Sequence, residues 1–383
     1  MLFHVKRFLS RAAILGLSVI GGSLLRGADA IKLIPENISL FDSSLLWDRV
    51  FDVRTGFGYK DNVLLSPFHP QASPFFLGGL QATAIRLPLD GPEVVFFLDG
   101  EELRYTHPVN ADKEQTLMSL AQIKKSFGPG WQVGAAMLYF YQDQLQDVSF
   151  TETNRTAVQV QGHNLTFRPS LRRDLGTNAW MQLELQGTRL WLKQPLDSYW
   201  QAGPKFTLTR EYGYRSEVRL SYGILKQLYD TRTRTDSAGN EIDRAGLEYW
   251  QQKTELSWQH YWDPQRSWRT TTTVGMDWNT DNGGGYFDYR TFRAAEQIRY
   301  QAKTWEVRGK VGLAQYDFPV RTIGAPGAPK LHQHILTLNA HAQKKLARFL
   351  TVFADYDYEQ SVANEPFETY QANTFSGGLE WEF

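Results

Sequence analysis

The chain has 383 residues, with 41 basic and 41 acidic side chains, zero formal net charge and no cysteine. The balanced charge, without any basic block, argues against a nucleic-acid partner. The lack of cysteine excludes disulfides, thiolate catalysis, cysteine-linked lipidation and Cys-ligated zinc. A mean hydropathy of −0.43 excludes a bundle of membrane helices but not a membrane barrel, because half of every barrel strand is polar.

The first thirty residues read as a leader. Lys6, Arg7 and Arg11 form a positive start, Ala12 to Leu25 an apolar stretch too short to span a bilayer, and Ala28-Asp29-Ala30 a small-residue cleavage site. The expectation is a signal peptide over 1–30, export, and a short periplasmic segment over 31–48. No second apolar run of membrane-helix length follows.

From Arg49 onward one kind of segment recurs. Val133, Ala135, Met137, Tyr139 and Tyr141 alternate with polar or small residues; so do Val218, Leu220, Tyr222 and Ile224, and later Leu350, Val352, Ala354, Tyr356 and Tyr358. The period is 2 and the runs reach about ten residues, the length a membrane strand needs. Sixteen such segments fall near 50–65, 75–87, 93–107, 114–127, 131–145, 155–170, 177–194, 197–210, 213–229, 246–262, 265–279, 286–302, 304–317, 331–344, 347–360 and 367–383. Val158 and Val160 are out of phase with Leu165 and Phe167, which predicts a bulge near Gly162. Pro169 and Pro204 sit oddly in strands, since proline donates no ladder hydrogen bond.

Tight connections alternate with longer polar ones. GPG at 128–130, WDPQRS at 262–267, AKT at 302–304 and LAR at 346–348 are tight; 66–73, 230–246, 280–285, 319–330 and 361–368 are longer. The pattern predicts an all-β, antiparallel transmembrane β-barrel of about 16 strands occupying 49–383, with short periplasmic turns and longer extracellular loops. An open strand edge has no hydrogen-bond partner in hydrocarbon, so the sheet must close. The 12 Trp, 18 Tyr and 23 Phe fit aromatic girdles at two membrane interfaces.

Phe375, Leu379, Trp381 and Phe383 share one face of the last strand. This resembles the C-terminal signature of bacterial outer-membrane barrels. The resemblance implies that these four residues are read by the barrel assembly machinery of a Gram-negative cell. Gly56 to Val63, GFGYKDNV, is similar to the first strand of porin-like outer-membrane barrels; Lys60 stands where many carry an acidic or polar residue.

By alternation, one set of charged side chains faces the lumen: Glu184, Lys205, Glu217, Arg219, Lys253, Glu255, Arg269, Asp277, Glu306, Arg308, Lys310, Asp355, Asp357, Glu380 and Glu382. Lipid would make these positions costly, so confinement to one face is forced. The readings are a solvated channel lined with both signs, or a closed network that plugs a narrow barrel. His332 and His334 could share a metal but have no third ligand; His163 lacks a serine neighbour; Asp277, Asp281 and Asp288 do not fit a calcium loop; and NGGGY at 282–286 is no phosphate cradle. No cofactor, metal or turnover chemistry is expected. Passive passage of small hydrophilic solutes is the expected function. The alternative is protein or lipoprotein export, or a cell-surface structural role without an open pore.

Overall fold

The computed structural model describes residues 47–86, 91–107, 112–147, 157–194, 196–323 and 327–383. The leader and the segment expected to precede the barrel lie outside these residues, except that the first strand already begins at Trp47.

Sixteen strands close into one antiparallel barrel in which each pairs with its sequence neighbours and the last pairs with the first. In chain order they are β1 (Trp47–Lys60), β2 (Ser73–Arg86), β3 (Glu93–Tyr105), β4 (Lys113–Ser126), β5 (Trp131–Asp147), β6 (Ala157–Asp174), β7 (Ala179–Leu192) and β8 (Tyr199–Tyr212). The second half comprises β9 (Ser216–Thr235), β10 (Glu241–Tyr261), β11 (Trp268–Asp281), β12 (Tyr289–Gln301), β13 (Trp305–Thr322), β14 (Lys330–Ala347), β15 (Leu350–Ala363) and β16 (Tyr370–Glu382).

The register keeps one residue parity per strand on the outside all the way round, apart from the upper end of β13. Phe57, Phe76, Phe96, Phe167, Leu183, Leu185, Phe206, Leu220, Leu256, Leu313 and Phe375 are exposed there, a greasy belt that water would not tolerate. Outer tryptophans gather at both rims. Trp262, Trp268 and Trp305 lie at the short-turn end, and Trp191, Trp200, Trp250 and Trp278 toward the long-loop end. Cations stack on several of these rings, with the Arg189 guanidinium 5.0 Å from Trp200 and the Lys344 ammonium 4.7 Å from Trp305.

Three local expectations are corrected. No bulge interrupts β6 near Gly162: its register on β5 runs unbroken from Ala157 to Arg173. Val158 and Val160 instead point inward and are buried against Leu196 of the β7–β8 loop, so the phase change in the sequence marks an apolar inner face, not an extra residue. The stretch 230–246 is not a long polar loop, because β9 and β10 continue upward to a turn at 236–240. Likewise β13 extends to Thr322, beyond the expected start of its loop, with a register shift between Asp317 and Thr322 where Pro319 interrupts the ladder. Pro169 and Pro204 are accommodated without a register change: the ladder lapses beside each and resumes in step.

The closing seam depends on glycine. Gly56 of β1 faces Gly378 of β16, and a Cβ on Gly378 would lie 2.0 Å from the Thr55 carbonyl oxygen. Gly58 leaves room for the Phe75 ring, whose Cζ would stand 2.2 Å from an added Cβ.

Candidate functional site

The inner wall follows from the same alternation. All fifteen charged residues singled out in the sequence occupy the parity opposite the greasy belt, on β7 (Glu184), β8 (Lys205), β9 (Glu217, Arg219), β10 (Lys253, Glu255), β11 (Arg269, Asp277), β13 (Glu306, Arg308, Lys310), β15 (Asp355, Asp357) and β16 (Glu380, Glu382). The register brings many together. Lys253 is set opposite Asp277, which accepts from the Arg293 Nη2 at 3.0 Å. Glu184 is set opposite Lys205, and Arg219 Nη2 donates to Glu217 at 2.7 Å. Glu306 accepts from Arg299 at 2.8 Å, His341 Nδ1 lies 2.7 Å from Asp355, Asn339 donates to Asp357, and Lys345 reaches Glu382 at 3.0 Å. Part-exposed pairs of this kind contribute about 0–1 kcal/mol each; their consequence is the field they make rather than stability.

That field is uneven. β15, β16 and β1 present Asp52, Asp355, Asp357, Glu380 and Glu382 around Arg54, whereas β11 to β13 present Arg269, Arg293, Arg299, Arg308 and Lys310 around Asp277 and Glu306. Asp52 and Arg54 on β1, Arg293 and Arg299 on β12 and His341 on β14 belong to this wall but were not singled out in the sequence, although alternation along their own strands marks them.

Toward the long-loop end the inner wall changes character. Phe75, Tyr105, Leu190, Tyr199, Tyr229, Tyr249, Phe318, Leu331 and Tyr370 point inward near the upper ends of their strands and are buried. Loops fold down onto them. Val63 and Leu64 pack with Phe75, Leu77 and Tyr105, while Tyr286 and Phe287 of the β11–β12 loop pack with Leu190, Tyr199, Tyr229, Leu247 and Tyr249. The Arg232 guanidinium lies 4.3 Å from the Phe287 ring. Beneath, Gln201, Gln227 and Gln251 form a hydrogen-bonded row in which Gln227 has no solvent exposure. The inner wall is therefore charged through its lower and middle levels and aromatic toward the long loops.

The remaining sequence candidates have local explanations. Asp281 caps the β11–β12 loop: its carboxylate accepts from the backbone N–H of Gly283, Gly285 and Phe287, at 2.7, 3.0 and 2.9 Å, while Asp288 accepts from the Asp281 N–H. Burial pushes the Asp288 carboxyl up from its ordinary range. His332 and His334 lie on the outer face, rings 5.9 Å apart, across from Asp317 and Gln315. His163 is also outside, its Nδ1 2.8 Å from the Tyr139 hydroxyl. Among the described residues no three His, Asp or Glu side chains gather as metal ligands. Phe375, Leu379 and Phe383 are exposed on the outer face of β16, which Trp381 shares, and the Phe383 N–H donates to the Phe51 carbonyl at 2.8 Å.

No family model matches the chain. No curated protein matches it either. Solved structures of similar outline include bacterial outer-membrane proteins. OccAB1 of Acinetobacter baumannii is 8% identical, with 88% of this chain and 96% of that one covered and a TM-score of 0.45. OprD of Pseudomonas aeruginosa is 9% identical, with 88% and 95% covered and a TM-score of 0.43. A bacterial polysaccharide outer-membrane secretin is 8% identical, with 87% and 97% covered and a TM-score of 0.42. At such scores the likeness carries no argument, and the closed barrel rests on its own register.

Proposed function

We propose that the chain is a bacterial outer-membrane channel for passive diffusion of small hydrophilic solutes, without turnover chemistry. The observation that carries this reading is the charged inner wall, which runs from β7 to β16 and on to β1 and offers a wet path through a barrel whose outer face is mostly apolar. In this reading the short turns face the periplasm and the long loops the exterior. The leader over 1–30 directs export, and Phe375, Leu379, Trp381 and Phe383 are the signal for the assembly machinery. The fifteen charged residues set ion preference, with the acidic sector on β15, β16 and β1 favouring cations nearest the seam.

One observation favours a second reading, a barrel serving export or surface architecture without free diffusion: Tyr286, Phe287, Val63 and Leu64 pack onto the inner wall at the long-loop end. Conductance of the refolded protein in a planar bilayer decides between them. Stepwise conductance that scales with salt supports the channel, and a silent, folded barrel supports the second reading.

A further inference from the structure

We propose that the loop rings Tyr286 and Phe287 form a lid, a gate latched by Arg321, an inference that rests on the channel reading above. Among the described residues Arg321 is the most buried charged side chain, 1% exposed. Simple alternation along β13 would point it to the outer face with Asp317, Gln315 and Leu313. The register shift around Pro319 turns it inward instead. Its Nη2 lies 3.0 Å from Glu368 Oε1 and 3.6 Å from Glu365 Oε2, both buried in the β15–β16 loop. Its guanidinium carbon lies 5.6 Å from the Phe318 ring and 5.8 Å from that of Tyr286, the lid residue of the β11–β12 loop. Tyr286 in turn packs against Gly239 at the tip of the β9–β10 hairpin. One side chain thus joins the elements that cover the mouth from β9 to β16.

The latch is fastened at the base and incomplete at the top. Ser361 donates to the Glu368 carbonyl at 2.6 Å and accepts from Gln333 at 2.8 Å, which fixes the acidic loop to β14 and β15. Among the described residues, however, Arg321 Nη1 and Glu368 Oε2 have no hydrogen-bond partner. A buried ion pair with unsatisfied atoms recovers only part of its desolvation cost, whereas an open lid would return both charges to water. The closed lid is therefore held by a contact whose loss favours opening, and a buried pair is well suited to two discrete states. Hydrophobic side chains over a polar bore close it to ions when packed.

The experiment is single-channel recording of wild type, Arg321→Met, Arg321→Lys and the double variant Glu365→Gln/Glu368→Gln, each checked for folding by heat-modifiable electrophoretic mobility. Should these fail to fold, Tyr286→Ala/Phe287→Ala removes the lid rings from a loop without touching a strand. The expected result is a several-fold rise in conductance or open probability for Arg321→Met, the acidic double variant and the lid variant, with Arg321→Lys near wild type. Equal conductance in all folded variants overturns the gate and leaves the channel standing. Silence in wild type and every folded variant overturns both the gate and the channel reading.

Discussion

Leu185 and Gln186 are neighbours in the middle of β7, and the barrel assigns them to opposite worlds. Leu185 is 54% exposed on the outer belt, whereas Gln186 points inward and donates to Thr188 at 3.2 Å. Arginine at a barrel's mid-membrane outer position costs about 2–4 kcal/mol. Leu185→Arg is therefore expected to lower the folding equilibrium constant roughly 30- to 700-fold, at about 1.4 kcal/mol per tenfold. Gln186→Arg forfeits one neutral hydrogen bond and keeps its new charge in the polar bore, a loss of about 1 kcal/mol. The assay is denaturant unfolding of both variants refolded in phospholipid vesicles, followed by tryptophan fluorescence. A Gln186→Arg penalty equal to or above that of Leu185→Arg would refute the inside–outside assignment for the whole barrel, since register transmits parity from strand to strand.

At the seam, Gly378→Val drives a side chain into the Thr55 carbonyl, and the neighbour is backbone that cannot swing aside. The expected cost is about 1–3 kcal/mol or more, read as a smaller heat-resistant folded fraction; wild-type yield would show that β1 and β16 do not close there. Asp263, in the β10–β11 turn, accepts from the N–H of Trp268 and Ser267, which hold its carboxyl below the usual carboxylate range. Its contribution is present above the unfolded-chain value of about 3.9 and fades as pH falls through the lower folded value. The stability gap between wild type and Asp263→Ala should therefore be full near neutral pH and shrink in strong acid. A gap that grew on acidification would contradict the hydrogen-bond assignment. Neutralising Asp355, Asp357, Glu380 and Glu382 together should move the reversal potential in a salt gradient toward anion preference. An unchanged potential would mean that ions do not pass beside this sector.

Much of the architecture was legible without coordinates. The sixteen segments, the loop-length alternation and the charged face all follow from period 2, because a strand's side chains can point only two ways and lipid tolerates one kind. The boundaries of β9, β10 and β13 were not legible, since ladder hydrogen bonds extend a polar hairpin as readily as an apolar one. The phase of Val158 and Val160 was misread for a related reason: an apolar residue on the inner face looks like a slipped residue unless the loop that buries it is known.

The sequence by itself determined that this chain alternates, closes and separates greasy from charged. Only the tertiary structure decided what stands across the bore. That Tyr286 and Phe287 meet Tyr199, Tyr229 and Tyr249, that Val63 meets Tyr105, and that Arg321 turns inward to Glu368 are contacts between residues tens of positions apart. Parity names the face of a side chain, but the shear of the closed barrel, one bulge at Pro319 and the fall of the loops choose its partner.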